Sequence, residues 1–151
     1  MSSVLRVFAL AVGLSLSGCA QPKPLVSACL PATGRFEIRH VHSVEKTPVI
    51  EIYRAAPDGA IFIEGMRFRS LGWGLPSEGY VLRDGWYVIS GLHRRVGVLH
   101  LRTSRFTRHE LVTGDRTYPL YDRLRDGAGV IVTVSRARDC PLYLEARAAS
   151  P

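Results

Sequence analysis

Lysine is almost missing from this chain: of 20 basic residues among 151, only Lys23 and Lys46 are lysines and the other 18 are arginines. Neither lysine follows the glycine spacing of a phosphate-cradling G-x-x-x-x-G-K-[ST] loop, so that route to nucleotide chemistry is excluded. A hydrolase elbow G-x-S-x-G and a zinc-protease H-E-x-x-H are also missing, and Gly72-Trp73-Gly74 has neither the spacing nor the setting of a dinucleotide fingerprint. No apolar run approaches the roughly 20 residues that a membrane-spanning helix needs. The longest, Val7 to Leu16, has ten. Sustained 3.6-residue periodicity with caps is lacking too, which leaves little room for helix. Cysteine is sparse and odd in number, at three.

What is present is a globular composition, 46% hydrophobic and 22% charged, with a net charge of +7. Period-two alternation dominates the body. Val96, Val98, His100 and Arg102 share one strand face, opposite Gly97, Leu99 and Leu101; Val130, Val132, Val134 and Arg136 do the same against Ile131, Thr133 and Ser135. Further strands are expected over Arg35 to Val41, Pro48 to Arg54, Ala60 to Arg69, Gly79 to Leu82, Trp86 to Ser90, His109 to Val112, Thr117 to Tyr121 and Leu142 to Arg147, with one turn of helix near Tyr121 to Arg125. Asp-Gly recurs at 58–59, 84–85 and 126–127, and Gly114-Asp115 adds a fourth hairpin signal. The expectation is an all-β fold: a small antiparallel sandwich or barrel of about eight to ten strands.

The amino terminus reads as an address. One positive charge, Arg6, precedes the ten-residue apolar run, and Ser17-Gly18 precede Cys19. Leu16-Ser17-Gly18-Cys19 resembles the lipobox of bacterial lipoproteins, a resemblance confined to residues 1–19. It implies cleavage before Cys19, a diacylglycerol on the cysteine sulfur and stable anchoring by two or three acyl chains. Ala20 in place of Asp implies, by the enteric sorting rule, the outer membrane facing the periplasm. Removing residues 1–18 takes away Arg6 and no acid, leaving 133 residues with 19 basic against 13 acidic side chains, a net of +6. Residues 19–27, with Pro22 and Pro24, read as an extended tether, and 28–151 as one β-domain. With Cys19 assigned by the resemblance to the anchor, Cys29 and Cys140 remain to pair in an oxidising compartment; free thiols or intermolecular bonds are the alternative.

Such a location implies no nucleic acid partner. It directs the positive charge toward the lipid bilayer, an envelope protein or an anionic glycan. No cofactor and no metal are expected. His40 and His42 fall on one strand face, a spacing a metal could use, but nothing in the sequence supplies a third ligand. Partner binding is assigned to Trp73, in the glycine-rich stretch Ser70 to Gly79, with Arg67 and Arg69 before it. A second basic run holds Arg102, Arg105 and Arg108, with Arg94 and Arg95 upstream; a solvated edge strand also explains it. The functional expectation is a non-enzymatic envelope lipoprotein in an accessory or assembly role, with a periplasmic inhibitor or immunity protein against a hydrolase as the alternative.

Overall fold

A computed structural model describes residues 23–149. Its strands are β1 (Val26–Cys29), β2 (Arg35–Val41), β3 (Pro48–Ala55), β4 (Ile61–Phe68), β5 (Val81–Arg83), β6 (Trp86–Arg95), β7 (Leu99–Thr103), β8 (Glu110–Thr113), β9 (Arg116–Pro119), β10 (Ala128–Ala137) and β11 (Cys140–Ala148). A single 3₁₀ turn, Tyr121–Arg123, stands where the short helical turn is expected. The strands form two antiparallel sheets, β1-β11-β10-β7 and β5-β6-β4-β3-β2-β8-β9. Both sheets keep open edges, so the architecture is a sandwich and not a closed barrel.

Alternation explains which faces meet. Val26 and Ala28 of β1, Val130 and Val132 of β10, and Leu142, Leu144 and Ala146 of β11 point inward from the smaller sheet. Phe36, Ile38, Tyr53, Ala55, Ile61, Ile63 and Leu111 answer them from the larger. Phe36, Ile38, Leu111 and Leu144 are at most 1% exposed, and each such side chain contributes roughly 1.5–3 kcal/mol on burial. A second, smaller cluster of Val49, Phe68 and Ile89 lies farther along the larger sheet and is covered by Leu75, Tyr80 and Tyr87.

The described residues form eleven strands where eight to ten were expected, and the additional one is β1. It occupies the last two residues of the expected tether, because Val26 and Ala28 bury against the free edge of β11 in register with Ala146 and Leu144. β6 runs on to Arg95, five residues past its expected end. The register shift between its pairings at Ser90 and Arg94, with Gly91 and His93 at positive φ, carries the strand through a bulge. Asp84-Gly85 closes the β5–β6 hairpin with φ of 51° and 74°, the two positive values that a type I′ turn demands. Asp126-Gly127 is different: it precedes β10 on a crossing segment and closes no two-residue hairpin.

The registers give the sandwich two distinct ends. β2, β4, β5, β7, β9 and β11 finish at one end, here the upper end, where β1, β3, β6, β8 and β10 begin. The sheets are tied in this sense at the top by Val41 N–H donating to the Thr107 carbonyl. At the bottom Arg136 Nε donates to the Pro57 carbonyl. Cys29 and Cys140 form a disulfide at the lower end, Cα atoms 5.7 Å apart, joining the end of β1 to the start of β11.

Candidate functional site

The segment between β4 and β5 is built to hold a tryptophan outward. Leu75 N–H donates to the Gly72 carbonyl at 3.1 Å, closing a turn with Trp73 at its first central position and Gly74, at φ 81°, at its second. That is the type II pattern, in which the second central residue is glycine because positive φ is required. Leu75 and Tyr80 then fold onto the second core cluster, whereas Trp73 is 87% exposed.

The backbone beneath it is fixed. His42 Nδ1 accepts from the Glu45 N–H at 3.0 Å, so in the neutral ring Nε2 carries the proton and donates to the Trp73 carbonyl at 2.9 Å. Thr47 Oγ1 and Ser70 Oγ are 2.6 Å apart. Gly72 lies against Glu45, where an added Cβ would come within 2.5 Å of Glu45 Cγ. Val44 and Leu71, both exposed, flank the tryptophan on these two joined turns.

Arg67 and Arg69 do not reach out with Trp73. Arg67 lies on the outer face of β4 and Arg69 just past its end, their guanidinium carbons 4.9 and 4.5 Å from the ring centroid of Trp86, the first residue of β6. Stacking of this kind holds the flat cation while leaving rim N–H donors for a partner. Trp86 is a residue that sequence reasoning missed. The Asp84-Gly85 turn places it opposite Arg83, but the β4–β6 pairing that brings it to Arg69 is long-range. Beyond it, edge strand β5 leaves Val81 and Leu82 exposed.

The second basic run is divided by the fold. Arg94 and Arg95 sit at the lower end of β6, paired with Ile63 and Phe62. Arg102 lies on β7, an edge strand of the smaller sheet as a solvated basic strand would be, and Arg105 and Arg108 occupy the upper turn after it. In that turn Ser104 Oγ accepts from the N–H groups of Phe106 and Thr107, and Thr107 Oγ1 accepts from Ser104 N–H. Phe106, 75% exposed at its tip, is also absent from the sequence-based candidates.

The histidines separate. His40 turns inward and stacks on His109, ring centroids 4.7 Å apart. Burial pushes the pKa of each down to about 4, and the neighbouring His109 and His42 add to the effect on His40. His40 Nδ1 is buried without a partner. On the same inner face Tyr53 donates to the Glu51 carboxylate at 3.1 Å, and burial raises the Glu51 pKa against that bond. Among the described residues no three His, Cys, Asp or Glu side chains stand where they could hold a metal ion. Cys19 lies outside the described residues.

Trp73 and the Arg67–Trp86–Arg69 stack thus lie at the upper end of the larger sheet, the first held by His42 just past β2 and the second at the head of β6, whereas Arg102 and Arg105 belong to the smaller sheet and its upper turn. No curated protein and no solved structure matches the chain. One family model does, a domain of unknown function, DUF1850, over residues 36–120. Those 85 of 151 residues take in all seven strands of the larger sheet save the first residue of β2, and β7 besides, but neither cysteine of the disulfide. The chain belongs to the DUF1850 family.

Proposed function

We propose that this protein is a non-enzymatic lipoprotein of the bacterial envelope, anchored through acylated Cys19, whose sandwich binds another envelope protein in an accessory or assembly role. The contact is the upper end of the larger sheet carrying Trp73, with Arg67 and Arg69, stacked on Trp86, farther along the same end. The observation behind it is the pairing of an 87% exposed indole with a backbone held by His42 and by the Thr47–Ser70 contact. A large apolar side chain kept in water by a rigid turn is already ordered for a partner's pocket, so little entropy is lost on docking. The two arginines favour acidic groups on the partner's rim.

The test is photocrosslinking in intact cells with p-benzoylphenylalanine at position 73, and at Asp58 on the lower end as control. One envelope protein should be captured from 73 and not from 58. Trp73→Ala should weaken that complex by roughly 30-fold, the scale of a hot-spot residue, with unchanged melting because the side chain is 87% exposed. Equal capture from both positions, or none, rejects the reading; capture of a single hydrolase, with loss of its activity, turns it toward an inhibitor.

A further inference from the structure

The upper end of the sandwich is also where the chain enters it. β1 begins there at Val26, and Arg123 Nη1 donates to the carbonyl of Leu25 just before it. Six residues separate Cys19 from Val26, a span of about 20 Å even when extended. If Cys19 is acylated, this end must face the bilayer at close range.

A turn at the same end, after β7 on the opposite edge of the smaller sheet and linked to the entry through the segment 121–124, has the chemistry of a headgroup contact. Phe106 projects from the Ser104–Thr107 turn, and that turn is pinned from three sides: Val41 N–H to the Thr107 carbonyl, Arg108 N–H to the Ser104 carbonyl, and Arg105 N–H to Asp126 Oδ1 at 2.8 Å. The segments 102–108 and 121–127 hold five arginines and two aspartates. One of these aspartates, Asp126, is spent on the Arg105 N–H. Arg105 and Arg108, which bracket Phe106 in the chain, line an open depression with Tyr121, Asp122 and Leu124. A rigid aromatic tip bordered by arginines suits the boundary between acyl chains and anionic phosphates, where an aromatic ring is half immersed and each cation is drawn to the surface potential.

We infer that the Phe106 turn, with Arg105 and Arg108, is a membrane-resting surface that takes anionic lipid headgroups and orients the anchored sandwich upper end down. This inference rests on the lipid-anchor reading above. It places the Trp73 corner beside the membrane, facing a partner that is itself membrane-bound.

The full lipidated chain, reconstituted in phosphatidylglycerol/phosphatidylcholine vesicles and carrying p-benzoylphenylalanine at 106 or at 58, decides the matter. Lipid adducts should form from 106 and not from 58, and should decline when phosphatidylglycerol is omitted. Replacing both arginines, Arg105→Gln with Arg108→Gln, should cut the yield severalfold without moving the melting temperature, since both side chains are exposed. A palmitate-bearing chain whose 106 probe labels lipid no better than its 58 probe, or labels protein instead in intact cells, overturns the orientation. A chain that takes no palmitate removes the anchor and the orientation together.

Discussion

His40 and His109 show how much one residue's surroundings outweigh its spacing. The i, i+2 pattern of His40 and His42 suggested a shared face, yet β2 ends at Val41; one ring enters the stack and the other becomes a clamp for the Trp73 carbonyl. For the stacked pair the sign of the pH effect is fixed. Each folded pKa, about 4, lies below the ordinary imidazole value of 6.5, so between these values the unfolded chain binds more protons than the folded one. Stability is fully present above about pH 6.5 and is lost as pH falls toward 4. Up to about 3 kcal/mol per ring is at stake, less for two rings that cannot charge independently. Urea midpoints measured from pH 7.5 to 4.5 should fall accordingly, and His109→Gln should flatten the slope. An unchanged slope would mean the rings titrate freely.

At the scale of elements, turn chemistry was the most legible feature. Asp84-Gly85 produced the hairpin its residues dictate, and the alternating valines of β10 face inward as read. Element ends were less so. β1 has only two apolar residues beside a proline-containing stretch, and what makes it a strand is the unpaired edge of β11, which no local signal contains. The disulfide fastens that strand. Cys29 ends β1 and Cys140 begins β11, 111 residues apart, so removing the bond should cost at most about 4–5 kcal/mol in the chain-entropy model. In Cys29→Ser/Cys140→Ser, hydrogen exchange should rise first in the amides of β1, while β2 to β4 keep their protection. Uniform loss across both sheets would mean that the clasp supports the whole sandwich and not chiefly this edge.

For the whole molecule the consequential property is polarity. One end carries the disulfide and the Asp58-Gly59 turn; the other carries the chain entry, Trp73 and Phe106. The basic residues are divided between them, which explains why a single basic patch did not materialise from the Arg94-to-Arg108 run. On the proposed anchoring, this polarity would become functional. Cys19→Ser should abolish incorporation of labelled palmitate and leave the precursor uncleaved, and persistent labelling would remove the lipobox reading. The sandwich itself should still fold, because its core residues lie between Val26 and Ala146.

The sequence by itself determined the class of fold, the turns and the inward faces, because side-chain alternation and the φ demands of Asp-Gly are local properties of the chain. It also marked Trp73, since glycines on both sides of a tryptophan leave little doubt about a turn. Pairing decided the rest. Trp86 meets Arg67 and Arg69 only because β6 lies beside β4, β1 exists only because β11 has a free edge, and Phe106 shares an end with the chain entry only because β7 and β1 pair antiparallel through β10 and β11. These are contacts between residues distant in sequence, settled by which apolar faces can be buried together; the near-absence of lysine said nothing about where the arginines would stand.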